Sequence, residues 1–146
     1  MIDVLGTVQR VRRLAAESGG VNPEGAWPLT VVIGHLAIVD RDVWLPRLRQ
    51  VAEEHRPAWS WWEPQGTSWE AMYANRHVGV VAAEFDAGRR AIERHLRALD
   101  SAGWRRFGVH QTFGALDVTG LMRRMLDHDD EHLGPIEAAG ASRQPG

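Results

Sequence analysis

The chain has 146 residues, 44% hydrophobic and 25% charged, the proportions of a soluble globular protein of one domain spanning residues 1–146. A formal charge of −2 leaves no basic footprint for nucleic acid or an anionic membrane. There is no cysteine, and all 17 basic residues are Arg, so disulfides, thiolate ligands, a Cys nucleophile and Schiff-base chemistry are excluded.

Met1-Ile2-Asp3-Val4 lacks the basic-then-apolar pattern of a secretory signal, and no run approaches the roughly 18 apolar residues a membrane span needs. A cytoplasmic protein with no membrane contact is expected. From Ile2 to about Glu17, Val4, Leu5, Val8, Val11, Leu14 and Ala15 form one helical stripe, with Arg10, Arg12 and Arg13 mostly outside it. Ser18-Gly19-Gly20 stops that helix, and Asn22-Pro23-Glu24-Gly25 reads as a loop.

The second helix opens at Trp27-Pro28, where a proline without N–H is tolerated. Its stripe of Val31/Val32, His35, Ile38/Val39, Asp42 and Leu45 puts His35 on the buried face. Pro46 should kink this helix or end its regular part, with a weaker pattern resuming to about His55.

Arg56 to Gly66, with Trp59, Trp61 and Trp62, reads as a long loop. Its tryptophans either plug one end of the bundle or line a pocket mouth or a dimer contact. Thr67-Ser68-Trp69-Glu70 reads as a capping box with Thr67 as N-cap. A third helix follows to about Leu99, with a break near Asn75 or Gly79. Val78, Val81, Phe85, Gly88, Ile92, Leu96 and Leu99 form its stripe, and Arg89, Arg90, Glu93, Arg94 and Arg97 its wet face.

Ser101 to Leu116 has three glycines and three aromatic residues and reads as an ordered loop. Asp117 is the expected N-cap of a last helix running to about Ala139. Residues 141–146 read as a frayed tail. Leu121, Met125, His128, His132 and Ile136 share one face. Four amphipathic helices predict an all-α four-helix bundle.

His128 and His132, four apart, stand on one helix face a turn from each other. Seven histidines in 146 residues give roughly 0.3 such pairs by chance, so the pair alone is weak evidence. His35, the candidate third ligand, lies on a stripe that faces the same core. Either the three rings share a metal, or several buried nitrogens need other partners. His35 lies early in helix 2 and the pair lies late in helix 4, so convergence needs those helices antiparallel. That predicts up-down-down-up order with a long crossover between helices 2 and 3.

Asp129 stands where the zinc-protease signature His-Glu-x-x-His has its Glu, which disfavours peptide hydrolysis by that route. Three neutral imidazoles suit Zn, Ni, Fe or Cu. Asp42, Asp127, Asp129 and Glu131 are candidate partners for the imidazole N–H groups or solvated carboxylates.

Trp27-Pro28 followed by His35-Leu36, and Gly114, Leu121 to Leu126 and His128 through His132-Leu133, resemble a known pattern. The segment from Arg89-Arg90-Ala91 to Leu99 is similar to the third helix of the same group. The resemblance is to the DinB-like (DNA-damage-inducible) superfamily of metal-dependent four-helix bundles. It departs at Pro28, where Ser is usual, and at Val31, where an acidic residue is common. The resemblance implies a divalent-metal site on His35, His128 and His132, a homodimer, and chemistry with a low-molecular-weight thiol such as mycothiol or bacillithiol.

The expected function is therefore a metal-dependent enzyme for a small-molecule substrate, a thiol S-transferase or isomerase using a divalent Zn, Ni or Fe ion. Arg76, Arg89, Arg90, Arg123 and Arg124 are candidates to bind anionic parts of thiol or substrate, or else solvated surface. The alternative is a non-catalytic, metal-stabilised stress-response or small-ligand-binding protein.

Overall fold

The computed structural model describes residues 2–18, 27–62 and 68–143. Helix α1 (Gly6–Ser18) starts where Asp3 Oδ1 accepts from the backbone N–H groups of Leu5 and Gly6. It buries Val8, Val11 and Leu14, as their spacing requires. Helix α2 (Leu29–Val39) is buried at every position but Ala37. An apolar, β-branched run of this kind is stable as a helix only in the middle of a bundle.

Pro46 was expected to interrupt this rod, but the rod passes through it. A π-helical turn spans Asp40–Trp44, and helix α3 (Leu45–Glu53) continues from it with Pro46 in its first turn. Leu45 N–H donates to the Asp40 carbonyl five residues back, and Pro46, which has no N–H to place, opens the new register. The wider turn rotates the buried face. Val43, Trp44, Leu48 and Val51 point inward, whereas Asp42, expected on the stripe, is exposed.

The crossover that follows is more ordered than a loop. It contains strand β1 (Ala58–Trp59) and helix α4 (Trp69–Tyr73) before helix α5 (Val78–Arg97). Ser68 caps α4, its hydroxyl accepting from Ala71 N–H. The expected cap Thr67 lies outside the described residues. The break before α5 falls beside Asn75, and His77 Nδ1 caps α5 at Gly79 N–H. Gly34 lets α4 approach α2: a Cβ there would lie 2.4 Å from the Tyr73 ring.

Residues 101–116, expected to be an ordered loop, fold into helix α6 (Ser101–Arg105) and a hairpin of β2 (Phe107–His110) and β3 (Gly114–Asp117). Gly114 closes the hairpin with φ 73°, a backbone state most side chains resist. β1 adds to β2 in parallel, pairing Trp59 with His110, so the sheet order is β1-β2-β3. The bundle is thus mostly helical with a small sheet at one end. Four-residue strands are too short for alternation to show, and β1 finds its partner some 50 residues away.

Asp117 Oδ1 accepts from Gly120 N–H and caps helix α7 (Val118–Arg143), which runs beyond Ala139. Two core clusters give the helix directions. One joins Val8–Leu14, Leu29–Ile38, Val81–Phe85 and Leu133–Ile136; the other joins Val4, Val39–Val51, Ile92–Leu96 and Val118–Met125. Between them α1 and α7 run one way, and α2–α3 and α5 the other. This is the up-down-down-up order. Among the described residues no helix is long and apolar enough to cross a membrane.

Arg89, expected on the wet face, is fully buried at 0% exposure. Its Nε and Nη2 donate to Asp40 at 2.9 and 3.1 Å. Nη1 and Nη2 donate to Asp129 at 2.8 and 2.9 Å, and Nη1 also reaches the Val4 carbonyl. All five donors are used, and Thr7 Oγ1 adds a bond to Asp129 at 2.7 Å. Removing the cation would strand two buried carboxylates. Arg89→Met should therefore destabilise the fold by about 3–5 kcal/mol in denaturant titrations. Adding Asp40→Leu and Asp129→Leu should recover much of that loss.

Candidate metal centre

The three histidines singled out in the sequence meet. One ring nitrogen from each of His35, His128 and His132 lies within 4.8 Å of the others. His35 comes from the middle of α2, and the pair comes from α7 one turn apart. The rings are braced from outside by indoles: Trp69 meets His35 edge-on at 4.7 Å between centroids, and Trp27 lies parallel to His132 at 6.1 Å.

His35 Nε2 and His128 Nε2 face each other at 3.4 Å. On the far side of each ring, Nδ1 is buried with no hydrogen-bond partner among the described residues. If both Nδ1 atoms carry the proton, two Nε2 lone pairs point at one spot. If one Nε2 donates to the other, an unpaired nitrogen still remains. Each unsatisfied buried group costs about 1–3 kcal/mol. Zinc–imidazole bonds of about 2.0–2.1 Å put two ligand nitrogens about 3.3–3.4 Å apart on a tetrahedral edge. The donor set therefore fits a divalent ion. No fourth His, Asp or Glu joins the group among the described residues.

Burial keeps the rings neutral. It pushes His35 down to about 3, helped by the neighbouring His132 and His128, and His128 down to about 4. His132 is lowered for the same reason.

Of the four carboxylates weighed as imidazole partners, none hydrogen-bonds to the rings. Asp129 is turned to Arg89 and Thr7, Asp42 is paired with Arg41, and Asp127 and Glu131 are exposed. Beside the histidines a cavity of about 190 Å³ opens, with His35 and His128 in its wall together with Trp44, Trp61, Arg47 and Arg124. Trp61 sits at its mouth, 59% exposed, whereas Trp59 is buried and donates to Gln50 Oε1. The tryptophan-rich segment thus both plugs the bundle end and lines a pocket.

The DinB superfamily model matches residues 6–136. The chain belongs to the DinB superfamily. Among solved structures it is similar to YfiT from Bacillus subtilis, "a probable metal-dependent hydrolase with an unusual four-helix bundle topology". That match has a TM-score of 0.66 and 17% identity, and it covers 95% of this chain and 81% of the other. Comparison with curated proteins finds no match.

In this DinB-superfamily chain, three residues near the site have places that spacing does not reveal. Asp40 and Arg89 sit in charged stretches indistinguishable from a solvated face. His110 belongs to a hairpin with no periodic signal. Of the five arginines weighed as anion binders, only Arg124 lines the cavity; Arg76 pairs with Glu84, and Arg90 with Asp86.

Unfolded imidazoles titrate near about 6.5. The unfolded chain therefore binds more protons than the fold as pH falls from there toward 4 and 3. Stability is present above that window and is lost on acidification through it. Burial pushes Asp40 up to about 6 against the pull of Arg89, which acts with the opposite sign. The melting temperature of chelator-treated protein should fall from about pH 7 to about pH 5, and fall less in a His35→Leu/His128→Leu variant. Identical slopes for the two proteins would mean the rings are not buried neutral.

Proposed function

We propose that His35, His128 and His132 hold a divalent Zn, Ni or Fe ion, and that the protein is a metal-dependent enzyme acting on a small molecule. The observation that carries this reading is the 3.4 Å approach of two Nε2 atoms whose opposite nitrogens lack partners among the described residues. A divalent ion supplies Lewis-acid chemistry, polarising what it holds and favouring its deprotonated form.

The chain's own residues set the conditions for that chemistry. The imidazoles are already neutral, so ligation displaces no ring proton near neutral pH. Trp27 and Trp69 limit ring rotation, and the Arg89–Asp129 pair anchors the turn of α7 that bears His128. Val39, Val43, Trp44 and Leu116 give the cavity wall beside the histidines an apolar surface.

With no Cys in the chain, a thiol nucleophile comes from outside. A low-molecular-weight thiol of the mycothiol or bacillithiol kind gives an S-transferase or isomerase, as the sequence resemblance implies. Water as nucleophile gives a hydrolase, a second reading favoured by the words used of YfiT. In either case the proposed enzyme is a homodimer, as the sequence resemblance implies. A purely structural metal would call for a fourth protein ligand, and the described residues offer three.

Elemental analysis of protein purified without chelator should find about one divalent ion per chain. His132→Ala should lower metal affinity by about 10–100-fold or more. Thiol consumption against a panel of electrophiles, and ester or amide cleavage without thiol, should separate the two nucleophiles. Metal-free protein under these conditions would overturn the proposal.

A further inference from the structure

The cavity beside the histidines has a second chemical end. His110 is 3% exposed and lies in the cavity wall. Its Nδ1 accepts from the backbone N–H groups of Thr112 at 3.0 Å and Phe113 at 3.3 Å. In a neutral ring those two bonds fix the proton on Nε2. Burial, then the positive charges of Arg47 and Arg124, lower the His110 pKa, which keeps the ring neutral. Its Nε2–H is a fixed donor with no protein acceptor among the described residues.

Two cations share this end. Arg47 is held by the Ser60 carbonyl at 2.7 Å and by the ring faces of Trp44 and Trp59. No carboxylate lies within ion-pair distance of it among the described residues. Burial alone lowers its pKa, the sign of a partly desolvated charge without a counter-ion. Arg124 sits 3.8 Å over the Phe113 ring, with Asp127 only at the 3.9 Å edge of ion-pair range. Between the cationic end and the histidines the wall is apolar and aromatic. At about 190 Å³ the cavity is smaller than the roughly 300–1,000 Å³ pockets of drug-sized ligands, so the ligand is compact.

We propose that this cavity binds a small carboxylate with an apolar or aromatic body, its carboxylate received by Arg47, Arg124 and His110 Nε2–H. The ligand's other end then lies against the three histidines. Only that orientation rests on the proposed metal function. A planar carboxylate suits this end because guanidinium groups offer paired donors and the imidazole adds one directed bond.

The test uses the full chain loaded with zinc and follows the fluorescence of the cavity tryptophans. The probes are phenylacetate, its neutral isostere phenylacetamide, and acetate. Phenylacetate should bind at least about ten-fold more tightly than either of the others. Arg47→Gln and His110→Phe should each weaken phenylacetate by about ten-fold, with phenylacetamide and zinc content unchanged. Arg124→Gln, at a partly exposed helix position, gives a third reading should the Arg47 change disturb the tryptophans it braces.

Equal affinity for the acid and the amide overturns the assignment, as does acetate binding as well as phenylacetate. Undiminished phenylacetate binding in all three variants does so too. Selective phenylacetate binding in protein that retains no zinc supports this subsite and refutes the metal reading. Full zinc occupancy with no selectivity does the reverse.

Discussion

One guanidinium holds the bundle in register. Arg89 of α5 reaches Asp40 at the end of α2, Asp129 on α7 and the Val4 carbonyl at the entry to α1. Hydrophobic packing alone tolerates sliding of one apolar stripe along another. A fully bonded cation between two carboxylates does not, because a displacement of one turn would leave buried charges unpaired. Asp40 also stands at the start of the π-helical turn, so this tie and the change of helical phase occur at the same level of the bundle.

The histidines depend on that register. Asp129 is flanked by His128 on the same turn, and His35 lies little more than one helical turn before Asp40. Pinning Asp40 and Asp129 to one guanidinium therefore brings the imidazoles to a common level from opposite chain directions. Their shared cost is clear from the geometry: three desolvated rings, with two nitrogens lacking partners among the described residues. Such an arrangement is unfavourable as bare core and favourable around a cation, which is the physical reason to read it as a site.

The small sheet plays a different part. Because β1 pairs with β2, the crossover and the hairpin close over the same end of the bundle. They bring Trp61, His110 and Phe113 against a wall that includes Arg47 of α3, His35 and His128. The helices contribute the three-histidine cluster, and the sheet contributes the shape and polarity of the cavity beside it.

The helical content, the burial of His35, the pairing of His128 with His132, the cap at Asp117 and the break near Asn75 were legible in the chain itself. Each follows from spacing or from a local backbone rule. The up-down-down-up order was legible too, but only through the condition that the histidines meet. Arg89 was not. A charged residue beside Arg90 and Glu93 looks solvated until partners 40 and 49 residues away are placed around it. The outward turn of Asp42 depended on a π-turn that no periodic stripe announces, and the role of His110 on strands too short to alternate. Local sequence determined which segments became helices and which faces became apolar, since 3.6-residue periodicity acts within one turn. Tertiary structure decided which charges went inside and what surrounded the histidines, because those are settled by pairing energies between distant elements.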